Sequence, residues 1–408
     1  MKALICGAGI AGLALAARLL DHGWDVHLVD KAPGPRGQGY MIDFFGPGFE
    51  ALTAMGLQPR LRQLGHPATE FCYVDGEGRR VAGVDYDRFR KATGGGLVSI
   101  MRPDLELLLR EAVADRAVLQ YGTTVEQVAE DSGSVTLSDG ARTTADLVVG
   151  ADGIHSRIRS LVFGPERDHV RYLGMHTGAF VFEDEEVFRR MRDRFALTDT
   201  LHRQMGFYGL SDGRVAVFTV HRTRDPALPA DPREALRREF GGMGRLVRRA
   251  LDRCPPGAEV YYDQVAQIDA PRWRSGRVVL LGDAAHAVSL IAGQGASLGV
   301  AGAYVLAERL RAAGAAPSAG AAGSAGSAAP AGSVAAALAG YEERWRPVAG
   351  EVQARARQRV GEWFLPASPS RLLLRRWGFR AMRVPGLDRL LTGALFPTSR
   401  STVARLSE

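Results

Sequence analysis

Two short glycine turns, about 270 residues apart, constrain this chain more than any other feature. The first, Gly7-Ala8-Gly9-Ile10-Ala11-Gly12, follows the apolar run Ala3-Leu4-Ile5-Cys6 and leads into Leu13 to Leu20, which has helical apolar spacing. The second, Gly282-Asp283-Ala284-Ala285-His286 with Gly293-Gln294-Gly295, follows Val278-Val279-Leu280-Leu281 and opens a small-residue helix from Ala296 to Leu310. Both read as strand, glycine turn, helix. A chain that uses both for one ligand leaves its sheet after the first turn and re-enters it before the second.

The first turn fits G-x-G-x-x-G. Gly7 permits the tight turn, Gly9 lets backbone approach a pyrophosphate, and Gly12 lets helix and strand pack closely; Ala11 lies between them. The helix N-terminus then offers free N–H groups and the positive end of its dipole to phosphates. Asp30 ends the next strand, Val26 to Asp30, placed to accept from ribose hydroxyls. This motif alone does not separate FAD from NAD. The second turn favours a flavin, because one site grips the adenosine end and the other meets the ribityl chain and ring. Asp283 on its own also reads as a helix cap. Gly293-Gln294-Gly295 and Ala296 bring backbone and a helix N-terminus to the ring, where N–H groups stabilise negative charge. His286 reads as a catalytic base or as a structural histidine beside the ring.

Charge and composition exclude other classes. The net charge of +7 comes almost wholly from scattered arginines, most beside acids, so no nucleic-acid stripe is expected. At 46% apolar and 24% charged, 408 residues suit a globular chain of two domains. No apolar run is long enough for a transmembrane helix. The start reads as a strand and not as a signal peptide. Three cysteines without CxxC spacing point to a cytoplasmic protein with no metal site.

Between the turns, Gly48 to Met55 and Asp104 to Asp115 read as helices, and Val135 to Val149 as a hairpin returning into a strand before Gly150-Ala151-Asp152-Gly153. From about residue 168 the texture becomes aromatic and β-branched, over Gly178 to Phe182, Gln204 to Tyr208 and Val215 to His221. That spacing predicts a sheet forming the floor of a substrate pocket. Phe182, Phe207, Tyr208, Phe218 and His221 are candidates to face it, with Phe218 and Val220 on one face; ordinary core is the alternative for each. Residues 312–339 are almost wholly Ala, Gly, Ser and Pro and read as a mobile loop whose end alanines extend the flanking helices. Tyr341 to Trp363 reads as a helix. The basic, apolar stretch from Arg371 reads as a helix packed on the body or lying on a membrane.

Three motifs in order, the N-terminal glycine loop, Gly150-Ala151-Asp152-Gly153 with Ser156 and Arg157, and Gly282-Asp283 with Gly293-Gln294-Gly295, make residues 1–365 resemble the single-component FAD-dependent aromatic hydroxylases, the para-hydroxybenzoate hydroxylase-like flavoprotein monooxygenases. Within them the chain is most similar to the tetracycline-inactivating branch and to hydroxylases of polycyclic natural products. The resemblance implies an α/β fold: a Rossmann-like, glutathione-reductase-type FAD-binding domain from 1–68, 100–167 and 264–365, and an inserted β-sheet substrate domain from 69–99 and 168–263. A C-terminal helical segment, 366–408, follows. It implies that Asp30 meets the adenosine ribose beside Lys31, Asp43 sits near the flavin, Arg102 contacts FAD, Asp152 and Gly153 serve FAD and nicotinamide binding, and Asp283 binds the ribityl chain. Leu290 and Ile291, on the loop facing the reacting ring, join the substrate candidates. The family usually has proline, asparagine and aspartate where this chain has Leu290, Ser297 and Gly302, a more apolar loop that directs the expectation away from a small phenol.

The expected activity is therefore hydroxylation of a bulky, polycyclic aromatic or indole-type small molecule, using NADPH or NADH and O2 through a flavin C4a-hydroperoxide. Baeyer–Villiger, epoxidising and antibiotic-inactivating monooxygenases share that chemistry. A non-catalytic flavoprotein is the alternative outside enzymes. A halogenase is disfavoured because no Trp-x-Trp-x-Ile-Pro stretch occurs.

Overall fold

The computed structural model describes residues 1–35, 37, 39–92, 96–314, 331–359 and 365–381. Lys2–Cys6 lies inside a six-stranded sheet, parallel to Asp25–Asp30 on one side and to Leu147–Gly150 on the other. Leu147–Gly150 in turn pairs in parallel with Val278–Leu280. These strands are continuous apolar runs because helices cover both faces of a parallel sheet. Their register sets the architecture: Cys6 is level with Gly150, and Gly150 with Leu280. All three glycine motifs therefore leave from the carboxyl ends of adjacent strands, where ligands of open α/β sheets bind.

Between them is a seven-stranded sheet, in the order Tyr261–Ile268, Val170–Phe182, Val215–Arg222, Arg203–Gly209, Arg194–Thr200, Glu70–Val74, Arg80–Asp85. It is antiparallel except where Arg194–Thr200 meets Glu70–Val74. One face packs under Glu185–Met191, Pro232–Phe240 and Arg245–Asp252, around Phe180, Phe207 and Phe240. The other gathers Met41, Met101, Phe195, Tyr208, Phe218 and Leu365. Met41 and Met101 come from a separate two-stranded ladder, Met41–Phe44 with Val98–Met101. Among the described residues no helix is long and apolar enough to cross a membrane.

The helix Gly295–Ala312 runs beside Ile10–Asp21 and the long helix Ala331–Arg359. That last helix begins before Tyr341, taking up the final alanines of the low-complexity stretch; 315–330 lie outside the described residues, as do 360–364 and 382–408. Gly302 is explained here. A Cβ at this position would lie 2.6 Å from Nε1 of the fully buried Trp345, so the usual aspartate has no room. The helix Pro369–Ala381 lies on the body through Arg375, which forms a buried ion pair with Asp199 and sits 5.1 Å over the Tyr73 ring.

Glu308 joins the two glycine-opened helices. Its Oε1 accepts from Arg18 Nε at 2.7 Å and lies 3.1 Å from His22 Nε2, while Oε2 accepts from Arg311 at 3.0 Å. Burial alone would raise its pKa, but hydrogen bonds from His22, Arg18 and Arg311 outweigh it and bring the carboxyl down to about 2. A depressed carboxyl stabilises the fold above its ordinary value and loses that contribution as pH falls towards the folded value. Glu308→Gln is expected to cost about 2 kcal/mol at pH 7. The deficit should shrink below about pH 4.5 and fall by roughly half near pH 3 in urea titrations of both proteins. A deficit independent of pH would contradict this assignment.

Candidate active site

The N-terminal turn is forced by close backbone packing. Gly7 has φ +109, and a Cβ there would lie 2.3 Å from the Ala151 carbonyl oxygen. Gly12 packs likewise against the Gly7 carbonyl, at 2.0 Å from a would-be Cβ. Gly9 precedes the helix Ile10–Asp21, and only Arg102 Nη2, at 3.9 Å, comes near the place of its absent side chain. Asp30 has a local task besides the expected one. Its Oδ2 accepts from Ala8 N–H and its Oδ1 from Ala32 N–H, both at 2.8 Å, tying the glycine turn to the second strand. Lys31 beside it is exposed.

The second turn packs directly on the first. Gly282, at φ +60, would place a Cβ 2.7 Å from Ala11 Cβ, and Gly299 of the following helix would place one at 3.3 Å. Asp283 is reachable from solvent, yet desolvation raises its carboxyl pKa against the pull of Arg102, so it lines a deep recess. Gly295 stands 3.8 Å from Asp283 Oδ1, measured from its would-be Cβ. Gly293 at φ +63 has nothing within 4 Å of that position. Tyr40 and Tyr261 share the recess, their rings 5.8 Å apart, and burial raises both phenols. The recess is thus walled by Gly9, Arg102, Asp283 and the 293–296 turn. Open backbone, a helix N-terminus, a cation and a carboxylate form a cradle suited to a dinucleotide.

Ser297, where the family usually has asparagine, acts as a tie. Its hydroxyl donates to the Phe45 carbonyl at 2.6 Å and accepts from Gly48 N–H at 2.9 Å, anchoring the loop after the Asp43 strand.

Asp152 caps a helix. It accepts from Ser156 O–H at 2.5 Å, Arg157 N–H at 2.6 Å and Ile158 N–H at 3.1 Å, and Gly153 turns at φ +82 in open space. Burial raises the Asp152 carboxyl and these bonds oppose it. Sequence reading missed Arg159. Fully buried, it donates to the Ala284 carbonyl at 3.0 Å and the Ile154 carbonyl at 2.6 Å, joining the middle and last motifs. His155 was also missed; hydrogen bonding to Asp263, then to Glu166, lifts it to about 9, so it is cationic at neutral pH.

Four expected roles need correction. His286 is buried against Trp273, ring centres 5.0 Å apart, and desolvation lowers it to about 4. Among the described residues no charged group shifts this imidazole, and its packing on Trp273 favours the structural reading over that of a base. Phe182 and Phe207 lie under the helices with Phe180 and Phe240, and His221 bonds Tyr262 Oη at 2.8 Å on that face too. The reason is the two-residue pleat: Phe207 is level with Val217, whereas Phe218 and Val220 point to the opposite, inner face. Phe218 stays on the inner face beside Tyr208, which stacks on Phe195 at 4.1 Å. Leu290 packs against that cluster, linking it to the 293–296 turn. The Ile291 side chain lies outside the described residues.

Comparison with known proteins agrees with this geometry. A family model described as FAD binding domain matches residues 1–241 and 244–325. A flavin-dependent monooxygenase from an unknown prokaryotic organism is 30% identical over 77% of this chain and 81% of its own length. A 3-amino-4-hydroxybenzoate 2-monooxygenase from Streptomyces cremeus is 31% identical over 90% of this chain and 89% of its own. The crystal structure of tetracycline destructase Tet(55) superposes with a TM-score of 0.75 at 26% identity, covering 93% of this chain and 96% of that one.

The contact between Gly282 and Ala11 gives a direct test. Gly282→Ala forces the two turns apart and is expected to weaken FAD retention about tenfold, read by visible absorbance after gel filtration. Gly153→Ala, with positive φ but open space, is expected to cost only about 1 kcal/mol of stability and to retain FAD.

Proposed function

We propose, for a chain that belongs to the FAD binding domain family and is an FAD-dependent monooxygenase, that it uses NADPH or NADH and dioxygen to hydroxylate a bulky, planar, polycyclic aromatic small molecule. One observation carries the reading: the recess between the two turns adjoins the aromatic inner face of the seven-stranded sheet, away from the Tyr73 and Asp199 end on which the helix Pro369–Ala381 lies. Tyr261 belongs to both, and Leu290 joins them through the 293–296 turn.

In this reading Gly7, Gly9, Ala11 and Gly12 receive the pyrophosphate and Asp30 and Lys31 the adenosine ribose. Asp283 takes the ribityl hydroxyls. Arg102 balances Asp283 and the phosphates. The N–H groups of Gly293, Gln294, Gly295 and Ala296 face the ring at a helix N-terminus, where negative charge is stabilised. When bound, FAD supplies the electron transfer and oxygen activation. The protein's part is to orient the acceptor ring and exclude water, which Phe195, Tyr208, Phe218 and Leu290 do with an apolar wall. The similarity to a tetracycline destructase supports antibiotic-like polycycles as the first compounds to try.

Anaerobic stopped-flow with NADPH and with NADH, across a panel of polycyclic aromatics including tetracycline, tests the proposal. At least one compound is expected to speed flavin bleaching by tenfold or more, a barrier change of about 1.4 kcal/mol. In air, product one oxygen heavier is expected from that compound. Reduction indifferent to every polycycle, with peroxide as sole product, would reject it. FAD that neither nucleotide bleaches would favour a non-catalytic flavoprotein.

A further inference from the structure

The inner face of the sheet is mainly apolar, and the ladder that faces it brings a small polar cluster to it. Asp43 and Ser99 are level across the Met41–Phe44 and Val98–Met101 ladder, with Met41 and Met101 next to them on the same side. Ser99 Oγ donates to Asp43 Oδ1 at 2.6 Å, and Tyr86 Oη donates to the same oxygen. The two hydroxyls also lie against each other. Tyr208 is close enough that charge on Asp43 and Tyr86 adds to burial in raising its phenol. Asp43 therefore sits in the wall of the aromatic chamber.

The two oxygens of Asp43 are not equivalent. Both hydroxyls converge on Oδ1. Oδ2 makes no hydrogen bond among the described residues and is not sealed from solvent, although Ser99 and Tyr86 beside it are buried. Desolvation raises the Asp43 carboxyl and the two hydroxyls counter it. A partly desolvated oxygen with an open lone pair strongly favours a donor, and leaving it unmet is costly.

We propose that Asp43 Oδ2 is a specificity-determining acceptor for an O–H or N–H group carried by the aromatic substrate, with Ser99 and Tyr86 holding the carboxyl in the orientation that presents it. The proposal rests on the substrate reading above and narrows it to planar aromatics bearing a donor, such as phenols, enols or ring N–H compounds. Asp43 here is a positioning residue; no bond is made or broken at it.

The hydroxyl pair makes the test sharp. In Asp43→Asn the side-chain oxygen stays with Tyr86 and Ser99, so the amide NH2 replaces Oδ2 and an acceptor becomes a donor. Binding to the FAD-loaded protein is followed by perturbation of the flavin spectrum, without turnover. The probes are 2-naphthol, 2-methoxynaphthalene and 2-acetylnaphthalene. Wild type is expected to bind 2-naphthol at least about tenfold tighter than its methyl ether. Asp43→Asn should bring that ratio within about twofold and gain affinity for 2-acetylnaphthalene. Ser99→Ala and Tyr86→Phe, which loosen the orientation without removing the carboxylate, should lower the ratio partway. They also supply the readout if Asp43→Asn does not hold FAD. An unchanged ratio in Asp43→Asn, or in both hydroxyl variants, overturns the acceptor role and leaves the substrate reading standing. Failure of wild type to bind any of the three overturns both.

Discussion

Register in one parallel sheet is the constraint on which the rest of this molecule depends. Cys6, Gly150 and Leu280 end three neighbouring strands on one row, so turns from distant parts of the chain emerge side by side. Their approach is closer than any side chain allows: Gly7 against Ala151, Gly12 against Gly7, Gly282 against Ala11. Arg159 and Glu308 then fasten what the register aligns, one by donating to backbone carbonyls and the other by an ion cluster between two helices. The recess is a consequence of that packing and not a separate design.

The elbows were legible because glycine spacing carries backbone information, and backbone is what meets a dinucleotide. The sheet faces were not. Both are largely apolar, one packed under three helices and the other facing the Met41–Met101 ladder, so composition could not tell Phe207 from Tyr208. Strand pairing can, since one residue of shift exchanges the faces. His286 misled for a related reason. Its place one turn after Asp283 put it beside the chemistry in sequence, while Trp273, from another strand exit, claimed its ring in space. Arg159 escaped notice because a buried arginine donating to carbonyls leaves no compositional mark.

The departures from the family pattern also become intelligible as local packing. Ser297 does with one short hydroxyl what ties a helix start to the loop at Phe45, and Gly302 yields to an indole from the long C-terminal helix. Neither alters the cradle itself. Leu290 is different, because it faces the chamber and makes its wall more apolar.

An apolar wall raises the worth of any polar group left within it. Hydrogen bonds strengthen, and unmet acceptors become more costly, as water is excluded. In a chamber of stacked Phe195 and Tyr208, with Phe218 and two methionines, ring shape alone discriminates weakly, since aromatic contacts accept many planar molecules. Orientation of a flat substrate then depends on the sparse polar exceptions. Two hydroxyls spent on one oxygen of a single carboxylate leave the other oxygen directed and undersatisfied, and in the proposed reading that oxygen selects which edge of a planar substrate faces inward.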